Sequence, residues 1–109
     1  MAEVFNFSGA KFELIENQAG HAADTTLMVF SQSSSPFNAT YTGPNVQLGQ
    51  VVVSGENMLY HAVDNAGQLS AGQANIDMGE NEEGSQTMTL HWQWLTGDQS
   101  SGISRWRRV

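Results

Sequence analysis

Three histidines, eleven carboxylates and a pair of tryptophans two residues apart are the side chains from which this sequence could build a site. The histidines are His21, His61 and His91. None lies within two to five residues of another, so there is no H-x-H or H-x-x-x-H ligand pair, and no cysteine completes a metal shell. A lone His offered to a haem or metal inside a barrel is the sharper reading; three unrelated polar or interfacial histidines is the simpler one. Asp64, Asp77 and Asp98 flank expected strand ends, and Glu13 and Glu16 sit on or beside the first strand. Spacing pairs no two of them, which is how solvated turn residues look. Ser100 and Ser101 precede Gly102 in a loop without a G-x-S-x-G elbow. There is no G-x-G-x-x-G and no P-loop. No catalytic residue, metal ligand or cofactor is implied.

The tryptophans are more informative. In Thr87–Leu95, period two puts Met88, Leu90, Trp92 and Trp94 on one face and Thr87, Thr89, His91, Gln93 and Leu95 on the other. That alternation predicts a half-buried strand. Two indoles bring a large apolar area to it, so the core is laid down against this strand. The same face could instead line a pocket, because small-ligand sites are apolar walls with a few polar groups.

The elements that position this strand follow one rhythm, six to ten residues and then Gly, Pro, Asn or Ser. No window shows a helical period. Phe5–Glu16 is the first expected strand, with Ala10, Phe12 and Leu14 on one face, and Asn17–Gly20 a bulged turn. Thr25–Gln32 is the second, with Thr26, Met28 and Phe30 aligned. Phe37–Thr42 is the third, after a loop ending at Pro36, and Gly43-Pro44 turns the chain. Asn45–Ser54 and Met58–Val63 follow, joined at Gly55-Glu56. Val51–Val53 and Met58–Val63 are apolar on both faces, so something is expected to cover their outside. Asp64–Gly67 repeats the bulged-turn chemistry. Leu69–Met78 is the sixth strand, with Gly72 read as a break or bend. Gly79–Gly84 is an acidic loop, the tryptophan strand is the seventh, and Ile103–Val109, after the Gly97–Gly102 loop, is the eighth.

Eight sequential strands on short connections predict an all-β fold, an antiparallel up-and-down meander closed into a small barrel of lipocalin- or avidin-like architecture. Closure removes sheet edges, and an eight-stranded interior is either filled by side chains or just holds one small ligand. A two-sheet sandwich is the alternative. The lipocalin Gly-x-Trp signature is missing from the first strand. The 109 residues are read as one domain, 1–109, with a core of its own and no disulfides.

The net charge is −7, from eleven acids against four basic residues. Nucleic acid and anionic membranes are poor partners for such a chain, since affinity for phosphates comes from Lys and Arg. Arg105-Trp106-Arg107-Arg108 holds three of those four basic residues. They are expected to meet the protein's own acids or a second subunit, as Arg and Trp are frequent in interface hot spots. Met1–Asn6 has neither a basic n-region nor an apolar h-region, and no apolar run is long enough to span a membrane as a helix, so a cytoplasmic location is expected.

The glycine and aromatic spacing resembles a family of small uncharacterised bacterial proteins of about this length. The matching elements are Phe7-x-Gly9, Thr26–Phe30, Tyr41-x-Gly43, Gly49, Tyr60-His61, Gly67-x-Leu69-x-x-Gly72 and Trp92-x-Trp94-x-x-Gly97-Asp98, with Gly102 and Ser104 beyond. Members finish with an acidic pair, whereas this chain finishes Arg-Trp-Arg-Arg-Val. Relatives are sometimes labelled N-acetylglutamate synthase. That label would require an α/β core and a Gly-rich loop at a helix start to hold acetyl-CoA, and this chain has neither. The resemblance supplies no activity and no catalytic residues.

Two functional readings follow. The first is a non-enzymatic barrel binding a small, partly apolar ligand, with Tyr60, His61, Trp92 and Trp94 lining or flanking the site. The second is a solid-cored barrel acting through protein contacts as a homodimer, joined through Val51–Val53 and Met58–Val63. An enzyme would need a buried carboxylate or His with a strongly shifted pKa.

Overall fold

The computed structural model describes residues 6–17, 27–32, 34, 36–43, 46–97 and 99–109. The strands are β1 (Lys11–Asn17), β2 (Leu27–Phe30), β3 (Phe37–Gly43), β4 (Val46–Ser54), β5 (Asn57–Val63), β6 (Leu69–Glu80), β7 (Gln86–Trp94) and β8 (Ser101–Arg108). Each pairs antiparallel with the next and β8 pairs back onto β1, so the sheet is a closed barrel in sequence order. The expected barrel is observed, and the sandwich is excluded. Among the described residues, no helix is long and apolar enough to cross a membrane.

Alternation of side chains decides what faces inward. On β5, Met58, Tyr60 and Ala62 are buried while Asn57, Leu59 and His61 are exposed. On β7, Met88, Leu90 and Trp92 are buried, with Trp94 half-buried on the same side. The strands that read as apolar on both faces split in the same way. Val51 and Val53 point into the barrel, and Val52 stays 42% exposed outside.

Short turns explain the register. Gly55 takes a φ of 61° between β4 and β5, a conformation that costs glycine little. The Asp64 carboxylate accepts from the backbone N–H of Ala66 (2.9 Å) and Gln68 (2.8 Å), fixing the β5–β6 turn. Several expectations differ from the structure. β2 ends at Phe30 rather than Gln32, β6 continues through Gly79 and Glu80 of the expected acidic loop, and β8 begins at Ser101, inside the expected Gly97–Gly102 loop. β6 runs unbroken through Gly72, which is no bend. β1 begins at Lys11 rather than Phe5, because Gly9 (φ 70°) turns the chain and the Ala10 N–H donates to the Phe7 carbonyl. Of the expected bulged turn after β1, Gln18–Gly20 lie outside the described residues, as do His21 and Thr26.

The early turn at Gly9 seals one end of the barrel. Phe7 enters the core and packs its ring 4.9 Å from Phe30, 5.6 Å from Phe37 and 6.2 Å from Phe12. Edge and stacked contacts of this kind add to the area buried. The connections at the opposite end, called here the upper end, are those between β3 and β4, β5 and β6, and β7 and β8. The seam between β1 and β8 carries two ion pairs, Arg107 with Glu13 and Arg105 with Glu16. Two of the three terminal arginines therefore meet the protein's own acids, while Arg108 donates to the side-chain carbonyl of Gln86 at 3.0 Å.

Candidate functional site

Towards the upper end the inward positions change character. Gly49, Ala62, Gly72, Ala74 and Gly102 are small, and the space between them is taken by Tyr41, Tyr60, Trp92 and Trp94. The sealed end, by contrast, is packed with phenylalanine, methionine and valine.

Each of three rings lies against the glycine paired with it on the next strand: Tyr41 on Gly49, Tyr60 on Gly72 and Trp92 on Gly102. The approach is close enough that a Cβ would be excluded. One on Gly72 would stand 2.4 Å from Cε2 of Tyr60, and one on Gly102 would stand 2.7 Å from Cζ2 of Trp92. Trp94 meets Tyr60 edge-on, with centroids 4.9 Å apart and planes at 87°.

Two phenols supply hydroxyl groups to this wall. The Tyr60 hydroxyl donates to the backbone carbonyl of Gln93 across the sheet at 3.2 Å. Burial pushes the Tyr41 phenol up to about 12. Burial also raises Tyr60, and the nearby Tyr41 raises it further. Both are neutral hydroxyls near pH 7, able to exchange hydrogen bonds with a ligand. Lower in the barrel, the buried Ser104 hydroxyl accepts from Nε1 of Trp106 at 2.9 Å. No carboxylate or histidine among the described residues is fully buried, and none group in threes to hold a metal.

Three of the four residues singled out from the sequence, Tyr60, Trp92 and Trp94, are brought to this wall. His61 is not. It follows Tyr60 on the same strand, so alternation turns it outward, where it is exposed opposite Gln50 and Ala71. His91 is likewise exposed, 3.3 Å from Asp77. Sequence reasoning missed Tyr41 as a wall residue, together with the three glycines. The available signal was an inward parity shared by an aromatic residue and a glycine on neighbouring strands.

A closed up-and-down barrel of eight strands is an architecture capable of holding one small ligand. The chain belongs to the avidin-like protein family, whose model matches residues 5–109. This corrects the resemblance drawn from short motifs, because the match is to the avidin-like family and not to proteins labelled N-acetylglutamate synthase. No curated protein and no solved structure matches the chain significantly.

Proposed function

We propose that the protein is a non-enzymatic barrel that holds one small, partly apolar ligand in its upper half. Tyr41, Tyr60, Trp92 and Trp94 form the wall, and the two phenols orient the ligand. The observation that carries this reading is the asymmetry of the interior. Large side chains close one end, while small residues and laid-back rings occupy the other. Membership of the avidin-like family agrees with it. Neutral phenols and the lack of a buried charge among the described residues favour a ligand that is uncharged where it meets the wall.

Native mass spectrometry on protein purified gently from its host tests the reading. The expected result is a fixed mass increment above the chain, carried by a smaller fraction of molecules in Tyr60→Phe and Trp94→Ala. Bare chain mass in every preparation, with tryptophan emission unmoved by a metabolite extract, would overturn it.

A homodimer is compatible with this site and rests on a separate observation. Val52 and Leu59 are cross-strand partners on the outer face of β4 and β5, and they are 42% and 59% exposed. Two such faces would bury each other's apolar pairs across a two-fold axis. Here Val52 and Leu59 make the contact, while Val51, Val53, Met58, Tyr60 and Ala62 face the interior.

A further inference from the structure

The three ring-on-glycine pairs have a common geometry. Tyr41 shares a cross-strand row with Gly49 and Ala62, and Tyr60 lies two residues below Ala62 on β5. Tyr60 shares a row with Gly72 and Trp94, and Trp92 lies two residues below Trp94 on β7. Each ring is thus stepped two residues along its strand for every two strands crossed, always in the same sense. Strands in an eight-stranded barrel tilt by about 35–45° and lie ~4.8 Å apart. Two strands over, a constant height requires a shift of about 7–10 Å, or roughly two to three residues. The three rings therefore stand at about one level around the β3–β8 side of the wall.

We infer that Gly49, Gly72 and Gly102 are the size-determining residues of the site. By lacking a Cβ they let Tyr41, Tyr60 and Trp92 lie back along the wall at that level, which leaves width for one small ligand. The inference rests on the reading of the barrel as ligand-binding, and it adds which residues set the bore. At Gly72 and Gly102 the nearest obstacles to a methyl group are all ring atoms of Tyr60 and Trp92, so a methyl there displaces the ring. At Gly49 the carbonyl oxygen of Tyr41 is equally near, at 2.7 Å, so that position is strained on the backbone as well. A displaced ring has one direction to go, towards the barrel axis. In an open lumen it pivots inward and narrows the site. In a filled core it has nowhere to go and the fold fails.

The test uses the full chain, with benzene and naphthalene as neutral probes of increasing width, titrated by NMR. Gly72→Ala and Gly102→Ala are compared with wild type and with Gly79→Ala, a control on the same sheet whose nearest neighbour would be the Thr87 hydroxyl at 3.4 Å. The expected result is that wild type and Gly79→Ala bind benzene, and that folded Gly72→Ala and Gly102→Ala bind it at least tenfold more weakly. Equal binding by folded variants overturns the size-determining role and leaves the ligand-binding reading standing. Wild type that binds neither probe, with both variants unfolded, overturns that reading and this inference with it. Should wild type bind while both variants fail to fold, the paired variant Gly72→Ala/Tyr60→Leu decides. It should fold and bind naphthalene at least tenfold more tightly than wild type does, and an unchanged naphthalene affinity overturns the inference.

Discussion

The hydroxyl of Tyr60 on β5 donates to the backbone carbonyl of Gln93 on β7, reaching over β6 to do so. It can do this because Gly72, the β6 residue between them, has no side chain to obstruct the ring. One hydrogen bond thus ties three strands together at the level where the ligand is proposed to sit. Tyr60→Phe keeps the ring and its contact with Gly72 while removing the donor. It should cost about 1 kcal/mol, the usual net worth of such a bond. A urea titration with an unchanged slope and a lowered midpoint would show it.

The alkaline limb of stability should report the two phenols. Tyr41 and Tyr60 are the only tyrosines in the chain, and burial raises both. A phenol whose pKa is higher folded than unfolded favours the folded state while it is protonated. That contribution is complete below the unfolded value of about 10 and is lost as pH rises through the folded values. Absorbance at 295 nm should show little phenolate at pH 10.5 in native protein, and an ordinary midpoint near 10 in 8 M urea. The melting temperature should fall from about pH 10 upward. A native midpoint near 10 would place the phenols in water.

Phe7 is the keystone of the sealed end, stacked on Phe30 and edge-on to Phe37. Phe7→Ala removes a ring that is only 3% exposed and leaves a cavity among three others, so it should cost about 3–5 kcal/mol. Calorimetry checks this. A loss under about 1 kcal/mol would mean that the turn at Gly9 collapses to fill the gap.

How much of this was legible in the sequence depends on what each residue's signal meant. Period-two alternation carried the strands of the barrel and set Trp92 and Trp94 on one face, since a strand has only two sides, whereas Met58–Val63 read as apolar on both faces and its inner face came only from the structure. The same rule applied strictly would have turned His61 outward, but its place beside Tyr60 in a motif drew it into the site. Gly72 was misread because a glycine in a strand marks either a bend or a close approach, and only the register with Tyr60 tells them apart. The mistaken family resemblance has a related cause. Several of its motif residues, Tyr41, Gly49, Tyr60, Gly72, Trp92 and Gly102, are the ring-on-glycine pairs themselves. Short motifs of that type record how rings pack in a small barrel, and they do not separate one barrel family from another.

The outer pair Val52 and Leu59 predicts a concentration-dependent dimer. Leu59→Lys places a charge on each copy at the proposed two-fold contact and should give monomers by sedimentation, with the melting temperature of the monomer little changed because residue 59 points to solvent. A wild-type protein that sediments as a monomer at 100 µM would remove the dimer reading.

The seam between β1 and β8 joins the first strand to the last, and it is the last pairing a meander can make. Chain entropy opposes such a contact until the intervening strands are in place. Arg107 with Glu13 and Arg105 with Glu16 lie on this seam, and the side chains of the first pair are 39% and 33% exposed against 56% and 54% for the second. Exposed ion pairs are worth about 0.2–1 kcal/mol, and water screens the more exposed pair more strongly. A double-mutant cycle with Glu13→Gln and Arg107→Met should therefore give a coupling of about 0.5–1 kcal/mol, larger than the cycle with Glu16→Gln and Arg105→Met. Both couplings should shrink in 1 M salt, where the screening length falls to about 3 Å. Charge complementarity rather than side-chain shape is the working part, so exchanging the charges in Glu13→Arg/Arg107→Glu should recover much of what Arg107→Glu alone loses. A coupling of zero at Glu13–Arg107 would mean that backbone pairing alone holds the first and last strands together.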